Sequence, residues 1–190
     1  MSILTSILNN TLNSVVFVYG RMNPPTIGHG KVISEMLKIA KEYNAAHCVF
    51  LSHSSGNKKN PLLWEEKVSY MKMFFPGVNI NESKINNPFS ALDLLSKKYK
   101  HVTFIAGSDR LEDYKRNMPA YAKNIGIELD IISSGNRLEE STSIEGVSAS
   151  KARKLVLENN FELFSELIPS NDIAEKRNLF LLLQTRLMDK

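Results

Sequence analysis

Cysteine is almost missing from this sequence. Cys48 is the single one among 190 residues, so no disulfide can close within the chain, and a reducing compartment is the simplest setting. Long hydrophobic runs are missing too. No apolar stretch approaches the ~20 residues that a bilayer-spanning helix needs. The N-terminal Ile3, Leu4, Ile7, Leu8 and Leu12 have no basic flank and read as a short amphipathic helix, not a secretion signal. These absences set the expectation of a cytoplasmic protein with no membrane partner. Charge of one sign is also in short supply. A net charge of +4 suits phosphate-bearing ligands and is too small to argue for a nucleic-acid partner. The densest basic cluster, Lys97, Lys98, Lys100 and His101, reads as a solvated helix end. Asp and Glu show no spacing for a metal cage and Cys48 has no cysteine partner, so no dedicated metal site is expected. Internal repeats and low-complexity tracts are absent.

What is there is an ordinary globular composition, 43% apolar and 23% charged, in a chain long enough to bury a core. Short β-rich runs alternate with helical periodicities. Strands are expected at residues 15–19, 46–52, 78–80, 101–106 and 127–132. Helices are expected at about 28–43, 64–75, 89–99 and 111–123, the last interrupted by Pro119. A Ser/Gly/Glu-rich loop follows at about 133–146, then helices from about 148, at 161–168 and at 172–188. This order predicts an α/β, Rossmann-like, doubly wound parallel five-stranded sheet with helices on both faces. The expected divisions are a helical extension at 1–14, one α/β domain at 15–168 and a C-terminal helix at 169–190. Residues 179–183, LFLLL, are apolar all round, which suits packing on the core or contact with another copy. In such folds ligands sit at the carboxyl ends of the strands, which directs attention to the loops beginning at Gly20, His53, Gly107 and Ser133.

The first of these loops reads GRMNPPTIGH, residues 20–29. Gly20 lets a ligand approach the backbone, and Pro24 and Pro25 stiffen the turn. Gly28 and His29 open the next helix, whose N-terminal amides and dipole favour an anion. His29 is placed to donate to a phosphate oxygen, and Thr26 to point a hydroxyl into the same space. A lone histidine would be incidental beside a capped helix; the whole set at one strand–helix junction is not. The second stretch, EGVSASKARKL at 145–155, puts Ser148 and Ser150 at a helix start followed by Lys151, Arg153 and Lys154. Serines there are usual caps, but with the cations they make a patch of donors able to hold a triphosphate. Lys58 and Lys59 sit on a polar loop after the second strand, and His53 at its start is placed to face a second substrate. In AGSDR, residues 106–110, Gly107 and Ser108 allow close approach of a base or ribose. Asp109 is a candidate cap for the next helix and Arg110 a candidate phosphate contact.

These stretches resemble the two signatures of the nucleotidyltransferase superfamily, a G-x-F-x-P stretch followed by H-x-G-H and a later I-S-x-T-x-x-R/K. The opening is similar to that of nicotinamide-mononucleotide adenylyltransferases and related phage enzymes, which adds the host cytoplasm as a setting if the chain is phage-encoded. Thr26 stands where most members have the first histidine. The resemblance spans about residues 15–165. It implies a catalytic set of His29, Thr26, Lys151 and Arg153. It implies nucleotide and phosphate contacts from Gly20, Arg21, Met22, Asn23, Gly28, Lys58, Lys59, Gly107, Ser108, Asp109, Arg110, Ser148 and Ser150. The implied reaction transfers a nucleoside monophosphate, AMP from ATP in the favoured reading, to a phosphorylated small molecule such as nicotinamide mononucleotide, with release of pyrophosphate. Mg²⁺ would arrive with the NTP. The EGVSAS stretch is also similar to cytidylyltransferases that use CTP and a choline- or glycerol-type phosphate. A non-catalytic nucleotide sensor on the same fold is the third reading, and Thr26 is its best support.

Overall fold

In a computed structural model of the chain, residues 13–108, 110–134 and 148–188 are described. The expected extension at 1–14 and the loop at 133–146 lie almost wholly outside them, as does Asp109. Five strands form one parallel sheet: β1 (Ser14–Gly20), β2 (Ala46–Ser52), β3 (Ile80–Ile85), β4 (His101–Ala106) and β5 (Glu128–Ser133), in the order β3-β2-β1-β4-β5. Register runs in step, with Phe17 opposite Cys48 on one side and Phe104 on the other. The Rossmann-like α/β expectation is met. β3 begins where the expected third strand at 78–80 ends. Asn79 instead donates from its backbone N–H to the His47 ring, and its C=O accepts from Val49 N–H, a lead-in that delays regular pairing to Ile80.

The helices are α1 (Ile27–Glu42), α2 (Trp64–Phe74), α3 (Pro88–Ser96), α4 (Leu111–Asn124), α5 (Ala149–Leu157), α6 (Phe161–Leu167) and α7 (Ile173–Met188). α1 and α2 cover one face of the sheet, where Ile33, Met36, Trp64, Val68 and Met71 pack on Val16, Val18, Val49 and Leu51. α3 and α4 cover the other, where Leu92, Leu95, Met118 and Ala122 meet Val15, Phe17, Phe50 and Phe104. The two faces of each central strand are therefore both buried, which is why these strands read as continuous apolar runs. Pro119 does not interrupt α4. It sits on the exposed side of the helix, between buried Met118 and Ala122, where a carbonyl deprived of its partner can turn to water. The LFLLL run belongs to a third cluster, in which Leu179, Phe180 and Leu183 of α7 pack with α5, α6, Leu62 and Phe74. Leu181 alone of the five is exposed.

One contact joins the first loop to the start of α2. Asn23 is 1% exposed, and its amide bonds both ways to the Leu62 backbone: Oδ1 accepts from Leu62 N–H at 2.9 Å and Nδ2 donates to Leu62 C=O at 3.0 Å. Asn23→Ala leaves both Leu62 groups buried without partners, an expected loss of about 2–4 kcal/mol. Urea unfolding measures it, and a change below about 0.5 kcal/mol contradicts the latch.

Candidate active site

The sheet order reverses between β1 and β4, and ligands in open α/β sheets bind in the crevice at the carboxyl ends of strands at such a point. The loops after β1 and β4 are the ones that carry the sequence candidates. In the first, the chain leaves β1 at Gly20, where a Cβ would stand 3.2 Å from the Met22 side chain. Gly20 thus makes room for Met22. Met22 takes a left-handed φ of 43°, a conformation that costs a non-glycine residue about 1–2 kcal/mol. Burial of its side chain in the core offsets that cost. The Asn23–Pro24 peptide is cis.

His29 lies in the first turn of α1, which Thr26 caps. The Thr26 backbone N–H donates to His29 Nδ1 at 3.0 Å, and Thr26 Oγ1 is also 3.0 Å from that nitrogen. The ring thus fills the place usually taken by Glu or Gln in a capping box. A nitrogen that accepts from a backbone N–H carries no proton of its own, so the ring proton of the neutral imidazole sits on Nε2. This corrects the expected role of Thr26. At 0% exposed, its hydroxyl cannot reach a ligand and serves the histidine instead. The Met22 and Asn23 side chains also face inward: one is in the core, and both ends of the other are taken by Leu62.

The second stretch meets this loop. Ser148 caps α5, its Oγ accepting from Lys151 N–H at 3.1 Å, and the Lys151 side chain is exposed. Arg153 reaches across: Nη1 donates to Asn23 C=O at 2.7 Å, over a sequence separation of 130, and Nη2 donates to Ser150 Oγ at 3.0 Å. Burial pulls the Arg153 pKa down, and the nearby charge of Arg21 acts the same way. The two guanidiniums feel each other's charge, and among the described residues neither pairs with a carboxylate. Such an arrangement is stable when an anion lies between or beside the two charges.

Other candidates ring the same end of the sheet. Gly107 and Ser108 follow β4, and Arg110 precedes α4. The Tyr19 phenol, at the end of β1, is raised above its ordinary pKa by burial, against the opposing effects of Ser52, Arg110 and Arg21. Lys58 and Lys59 are exposed on a loop closed by an Asn57–Asn60 bridge. Gly28 lies in the first turn of α1.

One residue escaped the sequence reading. Lys67, on α2, is 0% exposed, and its Nζ donates to the carbonyls of Ser52 and Ser54, the latter at 3.0 Å. It therefore clamps the backbone on either side of His53. Burial lowers its pKa to about 8, while the two carbonyls favour the ammonium, so it is charged at neutral pH. A helical stretch with lysine on the face of Trp64, Val68 and Met71, WEEKVSYM, was the available signal. Near the same clamp, Ser52 Oγ, Asn60 Oδ1 and Trp64 Nε1 are buried without a hydrogen bond of good geometry, although Ser52 lies close enough to Tyr19 to affect its pKa. Among the described residues no group of three or more His, Cys, Asp or Glu side chains could hold a metal ion, and no helix is long and apolar enough to cross a membrane.

No protein-family model and no curated protein sequence matches the chain. Solved structures do. A provisionally named nicotinate-nucleotide adenylyltransferase of Vibrio parahaemolyticus superposes with a TM-score of 0.58 at 15% identity, over 91% of this chain and 96% of that one. A bifunctional NMN adenylyltransferase/ADP-ribose pyrophosphatase of Francisella tularensis, complexed with AMP and a manganese ion, gives 0.61 at 17% identity over 93% of this chain. This chain spans 52% of that longer protein. The Plasmodium falciparum nicotinic acid mononucleotide adenylyltransferase, complexed with NaAD, gives 0.56 at 16% identity, over 90% of this chain and 98% of that one. The chain has the fold of the nicotinate- and nicotinamide-nucleotide adenylyltransferases.

Proposed function

We propose that the protein is a nucleotidyltransferase that transfers a nucleoside monophosphate, AMP from ATP, to a phosphorylated small molecule of the pyridine-mononucleotide kind and releases pyrophosphate. The observation that carries this reading is the contact of Arg153 with Asn23 C=O. It brings two stretches 130 residues apart into one basic cradle, beside the histidine of α1 and at the sheet's switch point.

In this reading the triphosphate lies against Arg21, Arg153, Lys151 and the first-turn amides of α1 and α5, with Lys58 or Lys59 closing over it. The donor set fits Mg²⁺ held by the phosphates and water, where it would neutralise triphosphate charge. His29 donates from Nε2 to the α-phosphate, and Thr26 holds the ring in that tautomer. The base and ribose lie along Gly107 and Ser108. The acceptor lies along the loop that begins at His53, and Arg110 faces a phosphate. An oxygen of the acceptor phosphate attacks the α-phosphorus in line. The new P–O bond forms as the α–β bridging bond breaks, and pyrophosphate leaves with the electron pair. A phosphate monoester is already anionic, so no general base is needed, and the rate comes from positioning and charge neutralisation. The lone, buried Cys48 suits the reducing cytoplasm that such substrates occupy.

A panel of ATP, CTP, GTP and UTP against nicotinamide and nicotinate mononucleotides and choline and glycerol phosphates, with pyrophosphate detection, tests the reading. Turnover with ATP and a pyridine mononucleotide is expected. Turnover only with CTP and a polyol phosphate replaces it with the cytidylyl reaction. Calorimetric binding of ATP without turnover on any acceptor makes the protein a sensor.

A further inference from the structure

The C-terminal helix lies outside both sequence signatures, yet one of its side chains is tied to the phosphate cradle by an unbroken series of contacts. Arg186, on the last turns of α7, donates from Nη2 to Glu66 Oε1 at 3.0 Å, and both side chains are largely shielded from solvent. The other oxygen of Glu66 accepts from Leu63 N–H at 2.7 Å, fixing the start of α2. The preceding residue, Leu62, is the one gripped at both backbone groups by Asn23. The Asn23 carbonyl in turn receives Arg153. Arg186 also lines a cavity of about 170 Å³ together with Gly56, Asn57, Lys58 and Pro61 of the lysine loop. A carboxylate shared between a cap and an arginine has its rotamer fixed by both; without Arg186, Glu66 is held by the cap alone.

We propose that Arg186 is a positioning residue for nucleotide binding, acting through Glu66, Leu62 and Asn23 on Arg153. The inference rests on the nucleotidyltransferase reading of the cradle. It gives α7 a role beyond covering the third apolar cluster. Coupling relayed through packed, hydrogen-bonded groups is typically worth a few-fold in affinity.

The test is calorimetric titration of the full-length protein with ATP and Mg²⁺, which needs no knowledge of the acceptor. Circular dichroism confirms that each variant is folded at the titration temperature. Arg186→Gln is expected to weaken ATP binding about five-fold, and Arg186→Lys, which keeps a cation for Glu66, about two-fold or less. Placed in an Arg153→Ala background, Arg186→Gln is expected to add nothing, because the group it positions is gone. A purely structural contribution of α7 would weaken binding equally in both backgrounds. Parental affinity in Arg186→Gln, or the same loss with and without Arg153, overturns the proposal while leaving the cradle intact. A parental protein that binds neither ATP nor CTP overturns the nucleotidyltransferase reading, and this inference with it.

Discussion

His29→Ala is expected to lower kcat by about 10²-fold or more at saturating substrates, the loss seen when one donor to a developing oxyanion is removed. The size of the effect follows from the geometry. The Thr26 backbone N–H occupies Nδ1, so the ring proton of the neutral imidazole sits on Nε2 and the ring's orientation is set by the cap. Because the same ring completes the cap of α1, the variant is also expected to lose about 1 kcal/mol of stability. The two effects separate in His29→Gln. Its amide carbonyl can serve the cap, as Gln does at this position of a capping box, but it cannot reproduce the imidazole donor. Recovery of stability without recovery of rate is the expected outcome. Steady-state kinetics and thermal unfolding on the three proteins measure both. Parental kcat in His29→Ala contradicts the assigned role.

Arg153→Ala has the second large effect, and it falls on nucleotide binding. A half-buried guanidinium that makes charge-assisted hydrogen bonds is worth about 1.5–3 kcal/mol, so the KM for the NTP is expected to rise about 10- to 100-fold. Arg153→Lys restores a charge but cannot span Asn23 C=O and Ser150 Oγ together, which lie on the loop after β1 and in the first turn of α5 and are reached by two different nitrogens. Only part of the affinity should return. An unchanged KM in Arg153→Ala, with the acceptor held saturating, would show that the triphosphate lies elsewhere.

The sheet was legible in the sequence because its central strands are buried on both faces. Runs such as Val15–Tyr19 and His101–Ala106 admit few other readings once helical periodicities separate them. The third strand was misplaced for a physical reason. Ile80–Ile85, at the sheet edge, buries only its two end isoleucines and carries half-buried or exposed Asn, Glu, Ser and Lys between them, so its apolar signal is weak. The positions of His29 and Ser148 at helix starts were also legible, since caps and glycine turns are local features. What the sequence hid was the direction of buried polar side chains. Nothing local says that Asn23 turns to Leu62, 39 residues away, or that Thr26 turns to its own histidine and not outward. The same holds for Lys67, whose carbonyl partners lie on a different element. Hydrogen bonds turn the Asn23 and Thr26 side chains inward, and packing does the same for Met22, so all three side chains belong to the frame of the loop.

The most direct test of a single cradle built from both stretches is a crystal structure with α,β-methylene-ATP and Mg²⁺. The triphosphate is expected within about 3.5 Å of His29 Nε2, the Arg153 guanidinium and the first-turn amides of α5. An analogue bound away from the carboxyl ends of β1 and β4, or touching one stretch and not the other, would contradict it.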